Sequence, residues 1–198
     1  MLPCSSLDRT TVAWIGPNRS LQYHGYHSQL LSDQEATSLL DRVNNKLRDN
    51  WLFQWTIDFT EESLDLVLKA IHHRKAIGVT DGSFKQGKGT AGFCIMSPTT
   101  WHASCQIPGQ PDVQYSYRSE LGGILGLLTI LDIMVEEASI TNGSLTIGCN
   151  NVQAGEHALE WTRFPSPTQD HFDLLQQIHT LRHRQRVEIY YYYVEVIN

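Results

Sequence analysis

Three residues whose side chains can bind a metal ion or move a proton stand far apart in the chain, at Asp81, Glu120 and Asn150. Asp81 follows the short apolar run 76–79, whose β-branched residues predict a strand. A carboxylate in an apolar strand is costly to bury unless it is paired or binds a cation. The dipeptide at 81–82 alone is more typical of a hairpin turn than of a metal ligand. The rest of the chain reverses that preference.

The elements that must position these residues are predicted from hydrophobic periodicity and turn residues. Three short apolar runs separated by turns occupy 76–107, and two further strands follow a long apolar helix. Strands joined by hairpins lie antiparallel, whereas strands separated by helices return parallel. Because sites in open α/β sheets lie at the carboxyl ends of strands, we expect Asp81, Glu120 and Asn150 to converge on one cleft.

The boundaries of these elements follow from the same patterns. Ser32 is predicted to cap a first helix and Thr60 a second, while Ser116 or Ser119 is predicted to cap the long helix. Glycines inside the long helix indicate close approach to a sheet. The predicted strands are 51–59, 76–81, 90–97, 101–107, 145–149 and 187–197, and the predicted helices are 32–48, 60–75, 117–138, 152–161 and 168–186.

The segments 79–83 (VTDGS), 117–121 (YRSEL) and 147–151 (IGCNN) resemble the ribonuclease H fold, and most of all the RNase H-like domains of retrotransposon polyproteins. The resemblance covers 76–198, and residues 1–75 resemble the connecting region before such domains. It implies an α/β fold with a five-stranded mixed sheet, three strands antiparallel and two parallel. Helices are expected on both faces of this sheet, and residues 1–75 form an N-terminal extension.

The resemblance also implies a function, the hydrolysis of RNA in RNA/DNA hybrids with two Mg²⁺ ions. Asp81 would bridge both ions, and Glu120 would bind one ion and orient the attacking water. Asn150 occupies the third ligand position. The segment around Gly82 and Ser83, with Arg118, Ser119 and Asn151, would lie along the minor groove of the hybrid, where the 2′-hydroxyl distinguishes RNA from DNA.

Two of the four acids that the family uses are altered or absent in this sequence. Asn150 stands where the family has an aspartate, and its amide oxygen brings no charge. The fourth acid of the family would follow the fifth strand, where this chain has 194–198 and stops, so the domain is interpreted as truncated. Four other acids could replace them but are more typical of solvated helix surface; they are Glu156, Glu160, Asp170 and Asp173. We therefore expect weak Mg²⁺ binding and impaired hydrolysis.

Two other functions remain open beside the impaired nuclease. The chain is alternatively an inactive relic or a non-enzymatic module that binds nucleic acid or a protein. A third option is an integrase-like or exonuclease domain of the same fold, which the helix-borne Glu120 disfavours. The expected partners are an RNA/DNA hybrid or other nucleic acid and the other domains of a polyprotein.

The composition bounds these functions. The net charge is −6 over 198 residues, which counts against strong non-specific binding to phosphate and suits a site whose charge is balanced by metal. Four scattered cysteines and the lack of a long apolar segment predict a soluble cytoplasmic or nuclear protein without a membrane anchor. Two histidine pairs have ligand-like spacing, but surface histidine is the favoured interpretation for both: His24 with His27, and His179 with His183.

Overall fold

The computed structural model describes residues 37–53, 55–56, 58–109 and 111–195, together with three short strands nearer the N-terminus. These strands are β1 (Trp14–Ile15), β2 (Ser20–Tyr23) and β3 (Tyr26–Gln29), which form an antiparallel sheet in that order. They belong to a compact unit of residues 1–37, and residues 38–198 form a second unit. The domain boundary predicted between 75 and 76 stays a prediction.

A five-stranded mixed sheet organises the second unit. Its strands are β4 (Ala76–Lys85), β5 (Lys88–Met96), β6 (Thr100–Gln106), β7 (Ser144–Cys149) and β8 (Glu188–Tyr193). Their spatial order is β6-β5-β4-β7-β8. The pairs β4–β5 and β5–β6 are antiparallel, whereas β4–β7 and β7–β8 are parallel. The predicted sheet of three antiparallel and two parallel strands with helices is therefore confirmed.

Five helices accompany the sheet in the described part of this unit: α1 (Leu39–Arg48), α2 (Glu61–His72), α3 (Ser116–Glu137), α4 (Val152–Gly155) and α5 (Phe172–Arg184). A π-helical turn, Glu156–Glu160, continues α4. Helix α3 is the buried centre of the unit and packs on β4 and β5. Gly123 and Gly126 have no room for a Cβ, because they lie against Thr80 and Phe93. This is the close helix–sheet approach that the glycines predicted.

The helices that follow β6 are placed by the direction of the crossovers between the parallel strands. Helix α3 packs on the face that carries Gly78 and Thr80, which we call the first face, and α4 reaches Tyr191 on that face. Helices α1 and α5 pack on α3. Both crossovers, to β7 and then to β8, move in one direction along the sheet, whereas α2 borders Ile77 and Met96 on the other face, which we call the second face. Right-handed crossovers in one direction place their helices on one face. On the second face, Gly92 has open space where a Cβ would stand.

Several predicted boundaries shift for local reasons. Strand β4 runs on through Asp81, which pairs with Gly92, so the hairpin-turn interpretation of Asp81 is wrong. Helix α1 begins at Leu39 after the cap Ser38, later than predicted, and Ser32 lies outside the described residues. Helix α3 has no side-chain cap.

The segment predicted as a strand at 51–59 forms a helical turn instead, Trp51–Phe53, and contains no strand in its described residues. Phe59 stacks on Trp101 with 4.6 Å between ring centroids, and Phe53 packs edge-on against Phe93. Aromatic residues that looked like a strand pattern are thus core residues of a loop. Thr60 caps α2 as predicted. None of the described helices has the length and apolar character needed to cross a bilayer.

Candidate metal and nucleic-acid site

Asp81, Glu120 and Asn150 lie together where the parallel pairing of β4 and β7 stops. The last parallel pair joins Thr80 to Cys149, so Asp81 and Asn150 are the next residues along their chains. The Nδ2 group of Asn150 donates a hydrogen bond to Oδ1 of Asp81 at 3.3 Å. The thiol of Cys149 donates to Oε2 of Glu120 at 3.7 Å. Three positions spread over 70 residues of sequence thus share one edge of the sheet.

Gly82 brings the first turn of α3 against β4. A Cβ on Gly82 would lie 2.6 Å from the carbonyl carbon of Ser119 and closer still to the backbone nitrogen of Glu120. The Ser119 hydroxyl donates to the carbonyl of Ser83 at 3.0 Å and fixes the same contact. The space that a side chain at Gly82 would occupy is therefore taken by the backbone of α3, and this contact sets the depth of Glu120.

The Glu120 carboxyl is nearly inaccessible, with 3% of the residue exposed. Burial, with a smaller contribution from the negative charge of Asp81, raises its pKa to about 7, although hydrogen bonds from the backbone of Gly82 and from Cys149 oppose the rise. Burial also raises the pKa of the Cys149 thiol to about 12, so this side chain stays a neutral donor. At neutral pH the site therefore contains a mixture of charged and neutral Glu120 beside an exposed Asp81.

Asn150 turns its amide in a way that bears on metal binding. Its Nδ2 faces Asp81, while Oδ1 is buried and has no hydrogen-bond partner. The positive end of the amide thus stands against the carboxylate, on the side where a cation would approach. The same amide, turned over, presents Oδ1 to that space, and the two orientations differ only in the hydrogen bonds they make.

The donor set fits one Mg²⁺ ion and does not fit two. Asp81, Glu120 and Asn150 offer hard oxygen atoms, and Mg²⁺ is commonly held by one or two carboxylates with water completing its shell. Two carboxylates carry at most two negative charges, and Glu120 is partly protonated at neutral pH. Two adjacent divalent ions would leave the site strongly positive. Among the described residues, no cluster of three acidic, histidine or cysteine side chains is arranged to hold a metal.

Arg118 lies beside the site but is turned into the protein. Only 5% of its side chain is exposed, and its guanidinium donates to both carboxylate oxygens of Asp173 at 2.8 and 2.6 Å. It also donates to the carbonyl of Pro108 at 2.9 and 3.1 Å. The Arg118 guanidinium lowers the pKa of Asp173. This clamp joins α3, α5 and the loop after β6, and a contact of Arg118 with nucleic acid stays a prediction.

The remaining predicted contacts are placed as follows. Asn151 caps α4 by accepting a hydrogen bond from the backbone of Ala154 at 2.9 Å. Ser83 is exposed at the end of β4. Glu156, Glu160 and Asp170 are exposed, as the solvated-surface interpretation predicted, whereas Asp173 is held by Arg118.

Sequence reasoning missed two features near the site. The Arg118–Asp173 pair spans 55 residues and leaves no periodic signal. Tyr117 and His157, joined by a 2.7 Å hydrogen bond between Oη and Nδ1, tie α3 to the π-helical turn. The i, i+4 spacing of His157 and Trp161, whose rings lie 3.9 Å apart, was the available signal for an aromatic cluster here.

The surface interpretation of His179 is wrong. This residue is 1% exposed, and its Nε2 lies 3.0 Å from the carbonyl oxygen of His157. His183 is exposed and stacks on Phe164. The side chains of His24 and His27 lie outside the described residues.

No protein-family model matches the chain, and a search of the curated proteins found no match. Among solved structures, the chain is similar to LC11-RNase H1 in complex with an RNA/DNA hybrid, at 14% identity over 61% of this chain and 85% of that chain, with a TM-score of 0.49. It is also similar to the N-terminal RNase H domain of rv2228c from Mycobacterium tuberculosis, at 16% identity over 60% and 81%, with a TM-score of 0.41.

A foamy viral protease–reverse transcriptase in complex with double-stranded DNA matches 90% of this chain and 39% of that chain, at 12% identity and a TM-score of 0.37. None of these three TM-scores reaches 0.5. The fold described above therefore rests on the strand order, directions and pairing of the sheet itself.

Proposed function

We propose that residues 76–198 are a ribonuclease H-type domain of a mobile-element polyprotein, which holds an RNA/DNA hybrid at the carboxyl end of β4 and hydrolyses its RNA poorly. The observation that carries the proposal is the convergence of Asp81, Glu120 and Asn150 at one edge of a mixed sheet with the strand order described above. The motifs at 79–83, 117–121 and 147–151 support the same assignment.

The impairment follows from charge. A bound Mg²⁺ would stabilise negative charge on a phosphate and activate water. This chain offers Asp81 and a Glu120 that keeps its proton up to about pH 7. Asn150 adds an oxygen without charge. One ion, bound weakly and better above pH 7, is the occupancy that these residues support.

Exposed aromatic side chains beyond the acids support a nucleic-acid partner. Phe84 is 41% and Tyr115 56% exposed, and their ring centroids are 6.4 Å apart. Phe84 follows Ser83 in β4, and Tyr115 immediately precedes α3. Aromatic faces of this kind stack on bases or sugars and tolerate any sequence. The proposed hybrid would thus lie across Ser83 with these rings beside it.

A second candidate is a non-enzymatic nucleic-acid-binding module of the same fold. The hydrogen bond from Asn150 to Asp81 favours it, because the amide already offers positive charge density to the carboxylate that a metal would use. The two candidates differ in one measurable property, the dependence of hybrid cleavage on Asp81.

The test compares cleavage and binding of a labelled RNA/DNA hybrid with Mg²⁺. We expect slow cleavage by the unmodified chain, loss of cleavage in Asp81→Asn, and a gain of about tenfold or more in Asn150→Asp, which adds a charged ligand. Asn142→Asp, which makes the same charge change before the other end of β7, is the matched control and should leave the rate unchanged.

The outcomes separate the candidates. Hybrid binding without cleavage in all four proteins supports the binding module. Absence of both binding and cleavage contradicts both candidates. A calorimetric titration in which two Mg²⁺ ions bind tightly to the unmodified chain contradicts the predicted impairment.

A further inference from the structure

An open groove lies at the other end of β4, away from the acids. It has a volume of about 510 Å³ and runs between the C-terminal half of α2 and the neighbouring ends of β4 and β5. We call it the α2 groove and define it by its apolar floor, Ile77, Met96 and Pro98, and its basic rim, Lys69, His73 and Lys75. Its volume is in the range of sites that hold one or a few side chains of a ligand.

The floor exposes apolar side chains that belong to the sheet. Ile77 and Met96 are direct cross-strand partners, and they are 38% and 44% exposed. Both lie on the second face of the sheet, opposite to α3. Side chains of this kind are normally covered in a folded sheet, and their exposure side by side marks an interaction surface more often than a single exposed residue does.

The rim is basic in an acidic chain. The chain has a net charge of −6, yet none of the described residues that line the groove is acidic. Lys69 pairs with Asp65 one turn earlier on α2, and both side chains are more than half exposed. This pair is therefore weak, and Lys69 can pair with a carboxylate of a ligand instead. Lys75 stands where α2 leads into β4. Its neighbour Arg74 is held by Glu188 and does not line the groove.

We propose that the α2 groove docks a short acidic peptide segment of a partner protein, with a bulky apolar side chain on Ile77 and Met96 and its carboxylates at Lys69 and Lys75. Charge complementarity argues for this occupant. A nucleic acid would also meet the basic rim, but the floor offers aliphatic side chains where bases need aromatic faces. A second copy of the chain would need about 20–30 residues on each side, whereas 9 residues line the groove.

The test uses the full chain and a short fluorescein-labelled peptide of leucine and glutamate, followed by fluorescence anisotropy at low and physiological salt. We expect saturable binding that weakens with salt, because the rim contacts are electrostatic. Lys75→Glu should weaken binding by about tenfold or more, and Met96→Ser should weaken it at both salt concentrations. Lys85→Glu makes the same charge change at the other end of β4 and should leave binding unchanged.

Several outcomes would overturn the proposal. They are no binding, equal binding of a peptide with lysine in place of glutamate, and binding that Lys75→Glu and Met96→Ser leave unchanged. Self-association of the chain that Met96→Ser removes, measured by light scattering, would assign the groove to a second copy instead. Tighter binding of a labelled oligonucleotide that Lys75→Glu weakens would assign it to nucleic acid. Circular dichroism of each variant checks that the fold is kept.

Discussion

The two ends of strand β4 differ in which kind of side chain is buried and which is exposed. At the carboxyl end, Gly82 lies against the backbone of α3, and the acidic Glu120 is 3% exposed. At the amino end, the apolar Ile77 is 38% exposed, and the exposed side chains of Lys69 and Lys75 line the same groove. One end buries a group that prefers water, and the other exposes a group that avoids it. Both arrangements lower stability, which points to function at each end.

The comparison also predicts how each end responds to substitution. The carboxyl end is packed by backbone contacts and by the ion pair of the buried Arg118 with Asp173, so small changes there should be costly. The amino end is open, so changes of equal size should cost little in stability and act only on binding. The following three pairs of variants test this contrast, and each pair matches a packed position at the carboxyl end with an open position.

The largest effect is expected for Gly82→Ala. The new Cβ would meet backbone atoms of Ser119 and Glu120, which move only if α3 moves. We expect the free energy of unfolding to fall by about 3 kcal/mol, measured by urea unfolding. Gly92→Ala is the matched control, since Gly92 is near Asp81 across the β4–β5 pair and a Cβ there meets nothing within 4 Å.

For Gly92→Ala we expect a change within about 1 kcal/mol, and a gain in stability is the favoured sign because alanine restricts the unfolded chain. Equal losses in the two variants would contradict the packing described for Gly82. A Gly82→Ala protein too unstable to purify still supports it, provided that Gly92→Ala folds normally under the same conditions.

The next effect concerns the ion pairs at the two ends. Asp173→Asn removes the charge that faces the buried Arg118 guanidinium, and we expect a loss of about 2–3 kcal/mol, because a buried charge is left without its counterion. Asp65→Asn removes the charge that faces Lys69, and we expect a loss of about 0.5 kcal/mol or less, because both groups are in solvent. Urea unfolding measures the loss of stability in both variants. Losses of similar size would contradict the expected difference between the two ends of β4.

Much of the sheet could be predicted because its signals are local. Runs of β-branched residues and the turns between them gave five strands, and the helices between the last strands gave the parallel pairs. The carboxyl end of β4 was harder to predict from the sequence. The dipeptide at 81–82 is typical of a turn, but pairing of Asp81 with Gly92 continues the strand, and that partner is known only after the register is fixed.

The contacts that shape the site could not be predicted in the same way. Arg118 and Asp173 are 55 residues apart. This pair follows neither a helical nor a strand period, so only the folded backbone brings the two residues together. The face on which α3 and α4 lie likewise depends on the direction of both crossovers, a property of the whole topology. The residue types predicted the position of the candidate site. The folded structure determines which of its side chains are held by other residues and which are exposed to a ligand.

The smallest of the three effects is a dependence on pH at Glu120. A carboxyl whose pKa rises on folding stabilises the protein fully below its unfolded pKa, and this stabilisation is lost as pH rises through the folded pKa. For Glu120 the window runs from its ordinary value of 4.5 to about 7. Glu120→Gln keeps the shape and removes the titration. We therefore expect the variant to gain stability relative to the unmodified chain as pH rises through this window, by roughly 1–2 kcal/mol at its middle.

The sign of this change distinguishes a buried acid from a paired one. If a cation were bound tightly to Glu120 without added metal, its folded pKa would lie below 4.5, and Glu120→Gln would lose stability as pH rises. Urea unfolding in chelator at several pH values from 4 to 8 measures the sign. The control is Glu62→Gln, which makes the same substitution at an exposed glutamate in the first turn of α2. Repeating the series with Mg²⁺ then sharpens the comparison, because an ion at the carboxyl end of β4 should reduce the gain of Glu120→Gln above pH 7 and leave Glu62→Gln unchanged.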